Sequence, residues 1–175
     1  MKAFAKTDIG KAREINQDYY YIPTTDKLDL YILADGMGGY NGGEVASKLA
    51  IDSVKKYIEN NFEKEKETKE SILNLIKSAI EYANMIVYKK SKEVKELEGM
   101  GTTLDVCLIY NNKIFIGHVG DSRIYRIRQN VMRKLTKDHS YVQKLIEDAV
   151  EAPKKLIEQA NKLGGYDNIT VITIL

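Results

Sequence analysis

The sequence predicts an α+β protein built on antiparallel sheet with helices packed outside it. Three observations carry this. Strand-like runs crowd the first 35 residues, a long middle stretch has helical periodicity, and residues 102 to 136 break into short β-rich runs. Strands, then helices, then strands again is the order of an α+β domain, not of alternating βαβ units.

The elements follow in chain order. Residues 2 to 8, 18 to 24 and 28 to 34 read as strands, the last two joined by the turn-like "TTDK". A helix follows from near Gly43, because Val45, Leu49, Val54, Tyr57 and Ile58 fall on one helical face. A longer second helix is marked by Ile72, Leu75, Ile76, Ala79, Ile80, Ala83, Ile86 and Val87. The charged runs on either side of it, "NNFEKEKETKE" and "KKSKEVKELEG", read as solvated helix ends and linkers. Residues 102 to 110, 113 to 119, 122 to 128 and 131 to 136 then form an antiparallel meander, broken at Asn-Asn, Gly-Asp-Ser and Gln-Asn. Leu156, Ile157, Ala160 and Leu163 mark a last helix that stops at Gly164 and Gly165, and "NITVITIL" closes the chain as a strand.

Bulk properties narrow the function classes. A chain of 175 residues suffices for one domain with a hydrophobic core. Its 27 basic and 25 acidic side chains nearly cancel, so neither a nucleic acid nor an acidic membrane surface is expected as the main partner. The single cysteine, Cys107, excludes an internal disulfide framework and a cysteine zinc cage, and its place in "TLDVCLIY" suits burial. No signal-like or membrane-length apolar segment is present, and a cytoplasmic protein is expected.

The chemistry concentrates in "ILADGMGGYNGGEVAS", residues 32 to 47, where Asp35 stands among five glycines. Other acids also fall at predicted strand ends: Asp18, Asp121 and Asp167. Hard cations such as Mg²⁺ and Mn²⁺ take oxygen ligands, and Gly36 has no Cβ to keep its carbonyl from approaching an ion. Glu44 is placed to complement a helix dipole. Taken singly, each acid fits a turn residue better than a ligand; the group of them is harder to dismiss. A Walker loop would need Gly-Lys-Ser/Thr, whereas "GGYNGGEVAS" offers Gly-Glu. The regular glycine spacing and βαβ unit of a dinucleotide site are missing, and no histidine or arginine adjoins Cys107 to activate it.

Four segments together resemble the metal-dependent, type 2C serine/threonine protein phosphatases in their bacterial form. They are "TDIGKAREINQD" (7 to 18), "LADGMGGYNGGEVAS" (33 to 47), "GMGTT…IGHVGDSRIYRI" (99 to 127) and "ANKLGGYDNITVITI" (160 to 174), in family order. The resemblance implies a β-sandwich flanked by helices, in four layers, with a two-metal centre at one end holding Mg²⁺ or Mn²⁺. Asp35 and the Gly36 carbonyl would bind metal, Asp167 would be a further ligand, and Asp121 would hold a third, weaker ion. Asp35 and Asp18 would be the catalytic acids. Asp18, with Asn16 and Gln17 beside it, would order metal-bound waters, and Arg13 would grip the substrate phosphate. Phosphoserine and phosphothreonine in proteins would be hydrolysed by a water bridging the ions, opposing a bacterial serine/threonine kinase. Met37 stands where some members carry a histidine, so leaving-group protonation would fall to metal-bound water. His118, inside a strand, reads as a packed, hydrogen-bonded residue, while His139 lies in a loop that could sit near the site.

The resemblance also has a gap. Members carry a second Asp-Gly pair on a late strand, preceded by a mobile flap; this sequence has one Asp-Gly, at 35 and 36. Residues 1 to 175 therefore read as a single phosphatase-like domain with an internal deletion near 148 to 152. A natural short member, an engineered deletion and a segment missing from the recorded sequence stay open. Lost interior strands would expose sheet edges, so a monomer or a strand-exchanged dimer is expected. The alternative to an enzyme is a non-catalytic module, a pseudophosphatase that recognises a phosphoprotein without hydrolysing it.

Overall fold

Alternation along one central strand sets the architecture. In the computed structural model, which describes residues 2–24, 28–38, 42–140, 143–144, 157–158 and 161–162, that strand is β2, Asp29–Met37. Its Leu30, Ile32, Ala34 and Gly36 are buried on one face, as a period of two requires. It pairs antiparallel with β1 (Asp18–Tyr21) on one side and with β4 (Leu104–Tyr110) on the other, and β5 (Lys113–Val119) extends the sheet beyond β4. The short β3 (Gly101–Thr102) pairs only with the end of β2. A separate two-stranded sheet is made by β6 (Tyr125–Arg128) and β7 (Val131–Lys134).

Two helices cover the buried face of the larger sheet: α1, Gly42–Glu65, and α2, Lys69–Glu93. The core lies between them and the strands. Ile51, Val54 and Ile58 of α1 and Ile72, Leu75 and Ile76 of α2 meet Leu30, Ile32, Val106 and Leu108. Fully buried alanines (Ala34, Ala46, Ala79) let helix and sheet approach closely. The break between the helices is set by chemistry: Thr68 Oγ1 accepts from Ser71 N at 3.0 Å, and Ser71 Oγ accepts from Thr68 N at 3.2 Å, a reciprocal capping box. The β4–β5 hairpin turns on Asn111 and Asn112, both with positive φ (49° and 57°), where asparagine is among the better-tolerated side chains.

The α+β antiparallel expectation holds, with differences in detail. Residues 2 to 8 form no strand; Phe4 is 93% exposed, and no described strand pairs with them. The strand after Asp18 stops at Tyr21, ahead of Pro23, which has no N–H to give a ladder. The strand expected to end at residue 34 runs on through Asp35 and Gly36 to Met37, because β3 pairs with that extension. The run from 102 to 110 is interrupted at Thr103, whose backbone N–H is given to the Asp35 carbonyl at 2.9 Å. The last helix, the closing strand, Asp167 and the seam near 148 to 152 lie largely or wholly outside the described residues.

The chain divides into two compact units, Met1–Lys137 and Asp138–Leu175. The second contains helical residues at 143–144, 157–158 and 161–162. There Ser140 Oγ accepts from Gln143 N at 3.2 Å, the geometry of an N-cap. His139 belongs to this unit. No helix of the described residues is long and apolar enough to cross a membrane.

Candidate metal and phosphate site

The β1–β2 register places Asp18 directly opposite Asp35. Like charges at paired positions of an antiparallel ladder repel, so sheet stability does not select such a pair. The Asp35 carboxyl is held above its ordinary range, first by partial burial, then by the charge and hydrogen bond of Asp18, then by the charge of Asp121. The positive charge of Arg13 acts in the opposite sense. Four of the sequence-predicted residues thus share one electrostatic neighbourhood, all in the first unit.

Gly36 is where the backbone is tightest. A Cβ there would meet the Gly43 carbonyl oxygen at 2.0 Å and the Gln17 oxygen at 2.7 Å, so strand and helix start touch through bare backbone. A Cβ on Gly43 would in turn meet the Gly36 carbonyl carbon at 2.8 Å. Gln17 ties this contact together. Its carbonyl accepts from Gly36 N at 3.1 Å and from Ser47 Oγ at 2.7 Å, and its side-chain Nε2 donates to the Gly38 carbonyl at 3.3 Å. Asn16 Oδ1 accepts from Asp18 N at 3.1 Å, which fixes the chain where the acid begins β1.

A second clamp acts from the far side. Asp35 N donates to Thr103 Oγ1 at 2.9 Å, and Thr102 Oγ1 donates to the Asp35 carbonyl at 3.0 Å. Thr103 Oγ1 also lies 2.7 Å from Ser122 Oγ, beside Asp121, and a Cβ on Gly120 would meet Thr103 Cγ2 at 2.6 Å. Thr103 thereby links the strand of Asp35 to the turn of Asp121. The threonines of "GMGTT" are not among the expected site residues; a Thr-Thr pair between a glycine and a strand is the signal the sequence offers.

His118 is hydrogen-bonded, as its place inside a strand predicts. Nδ1 lies 2.6 Å from Asp105 Oδ1, and Nε2–H donates to the Lys137 carbonyl at 3.0 Å. Asp105, its cross-strand partner, was not singled out; burial raises its carboxyl, and His118 pulls the other way. Cys107 is half-buried on β4, and burial alone pushes its thiol up, the opposite of an activated nucleophile. A cavity of about 420 Å³ lies behind Met37 and Thr102, walled mainly by α2 and Met100. None of Asp18, Asp35 and Asp121 lines this apolar space.

The donor set suits a hard divalent cation: carboxylate oxygens, carbonyls brought close by glycine, and a surplus of negative charge that a cation would relieve. Among the described residues, no three acidic, imidazole or thiol groups converge tightly enough to hold an ion by themselves. Asp167 is outside the described residues.

Residues 10–169 match the family model described as protein phosphatase 2C. The chain belongs to the protein phosphatase 2C family. It is 34% identical over 167 residues to the serine/threonine phosphatase stp of Listeria innocua, covering 90% of this chain and 65% of that protein. With protein phosphatase PhpP of Streptococcus pneumoniae it shares 34% over 152 residues, 85% of this chain and 59% of the relative. Among solved structures, the Mycobacterium tuberculosis serine/threonine phosphatase PstP/Ppp superposes with a TM-score of 0.72 at 32% identity, covering 87% of this chain and 61% of that one. The catalytic domain of PstP in complex with two manganese ions gives a TM-score of 0.70 at 32% identity, with 86% and 61% covered. This 2C-family chain therefore spans between 59% and 65% of the length of these four relatives.

Proposed function

We propose that this chain acts as a divalent-metal-dependent phosphatase on phosphoserine and phosphothreonine in proteins. The observation that carries the reading is the opposition of Asp18 and Asp35 across a glycine-packed backbone contact, with Arg13 and Asp121 within electrostatic range. Asp35 and the Gly36 carbonyl would hold metal, with Asp167 as a further ligand and Asp121 at a third, weaker position. Mg²⁺ and Mn²⁺ both suit such donors; the two manganese ions of PstP favour Mn²⁺ as the first ion to test. When bound, the ions supply Lewis acidity, neutralising charge on the phosphoryl oxygens and lowering the pKa of water.

The chain's own residues do the rest. Arg13, exposed ahead of β1, offers a planar, permanently charged fork to the substrate phosphate. Asp18 accepts hydrogen bonds from water and so orients it toward phosphorus, while the Thr102–Thr103 clamp keeps the Asp35 backbone in place. Residues 1 to 175 are read as one shortened phosphatase domain, with the shortening near 148 to 152, acting on targets of a bacterial serine/threonine kinase.

The test is hydrolysis of an aryl phosphate and of a phosphothreonine peptide with Mn²⁺, with chelator, and in Asp35→Asn. Mn²⁺-dependent turnover lost in Asp35→Asn supports the reading. Turnover that survives the substitution unchanged would sink the site assignment. Phosphopeptide binding with no turnover would instead describe a non-catalytic module.

A further inference from the structure

The β6–β7 hairpin carries a charge pattern that the phosphatase reading does not use. Residues 123 to 137, "RIYRIRQNVMRKLTK", hold six of the chain's 27 basic side chains and no acid, in a protein whose net charge is only +2. The register sorts these side chains. Arg126 stands opposite Arg133, and Arg128 opposite Val131, all on one face; Tyr125, Lys134, Ile127 and Met132 occupy the other. Two arginines at paired positions repel, so hairpin stability does not explain them. Among the described residues, no carboxylate pairs with Arg126, Arg128 or Arg133. Those three, with Gln129 and Val131, wall a niche of about 150 Å³, which has room for a phosphate or carboxylate group.

We propose that this face is an anion-binding site that docks an acidic segment flanking the phosphorylated residue of a protein substrate. Its chemistry is that of guanidinium forks converging on one niche, which grip a planar carboxylate or a phosphate through paired N–H donors. Position fits the role. Arg126 follows Asp121 by five residues, so the two lie within about 18 Å even if the chain between them is fully extended. An extended peptide with its phosphate at the acids spans that distance in about five or six residues. The layout disfavours a lipid surface, because the apolar side chains Ile127 and Met132 face away from the arginines and would turn them from an anionic bilayer. A single-stranded nucleic acid would want an aromatic stacking platform beside the arginines, and Tyr125 is on the opposite face. As a docking site for substrate, the proposal rests on the phosphatase reading.

The experiment uses the full chain and a fluorescent, phosphate-free peptide of alternating Glu and Ser, with a Lys-for-Glu control, read by anisotropy. The Glu peptide is expected to bind at least about tenfold tighter than the control, and more weakly as salt rises. Arg126→Gln/Arg133→Gln should lose about tenfold or more of that affinity, and Arg126→Lys/Arg133→Lys should keep only part of it. Aryl phosphate turnover, which needs no flanking segment, should be unchanged in both. The double glutamine variant should melt no lower than the parent, since it removes a repelling pair, and this separates lost binding from lost folding. Unchanged Glu-peptide affinity in that variant overturns the proposal, as does tighter arginine-dependent binding of an oligouridine. Arginine-dependent peptide binding without Mn²⁺-dependent turnover would support the anion site while refuting the phosphatase reading.

Discussion

Asp35 faces a like charge across a strand ladder, and that geometry has a pH signature. Its folded pKa is raised, so the folded state favours the protonated carboxyl. Stability from this group is full below the unfolded value of ~3.9 and is lost as pH rises through the folded value. In metal-free protein near neutral pH, Asp35→Asn should therefore raise the melting temperature. The gain should be less than about 1 kcal/mol, because the side chain is largely solvated. With Mn²⁺ added the order should invert: the parent gains stability by mass action and the variant does not. Thermal scans in chelator and in Mn²⁺ check both halves; a variant that melts lower in chelator would show that Asp18 and Asp35 do not repel. Gly36 makes a sharper prediction. An added Cβ would run into the Gly43 carbonyl at 2.0 Å, and backbone has no rotamer to yield. Gly36→Ala should cost at least about 3 kcal/mol in denaturant unfolding, whereas Gly99→Ala, with open space around it, should cost only the strain of its positive φ.

Strand and helix positions were legible wherever a hydrophobic period ran uninterrupted. Residues 113 to 119 form the strand their β-rich composition predicts, and both long helices follow their apolar faces. Residues 2 to 8 also read as a strand, yet a strand needs a partner and no described strand supplies one. The continuation of β2 through Asp35 was equally hidden, because it depends on a pairing with Gly101 and Thr102 some 65 residues away. The acids could be read as a group because carboxylates at strand ends stand out. The threonines that position them could not, since a hydroxyl clamp has no period. Thr103→Val tests this clamp. It leaves the Asp35 N–H without its 2.9 Å acceptor and Ser122 without its neighbour, which should cost about 0.5–1.5 kcal/mol because solvent reaches the site. Mn²⁺ affinity should fall with it, and Thr103→Ser should restore both. Equal Mn²⁺ affinity in the valine variant would mean that Asp35 does not depend on the clamp. Asp105→Asn tests a purely structural pair: it disturbs the 2.6 Å contact with His118, which holds β5 to the Lys137 carbonyl. It should lower stability by about 1–3 kcal/mol without touching Mn²⁺ affinity.

At the scale of the molecule, fold and chemistry are distributed differently along the chain. Every buried apolar residue of the described core falls between Leu30 and Phe115, and the first compact unit ends at Lys137. The Thr68–Ser71 capping box, the sheet register and both clamps on Asp35 are also inside that unit. Hydrophobic burial is the main driving force for folding, so residues 1–137 are expected to fold on their own. The proposed metal site is not so contained, since Asp167 belongs to the remaining residues. Expressed alone, residues 1–137 should unfold in one cooperative transition, with a midpoint within a few degrees of the full chain. Loss of one ligand from a hard-cation site weakens binding without abolishing the other donors. The fragment should therefore bind Mn²⁺ more weakly than the full chain and show no Mn²⁺-dependent hydrolysis of aryl phosphate. Asp167→Asn in the full chain should reproduce the weaker binding and the lost turnover while leaving the melting transition in chelator unchanged. Thermal denaturation and Mn²⁺ titration of all three proteins decide the matter. A fragment that melts without cooperativity would place part of the core beyond Lys137, and a fully active fragment would remove Asp167 from the site.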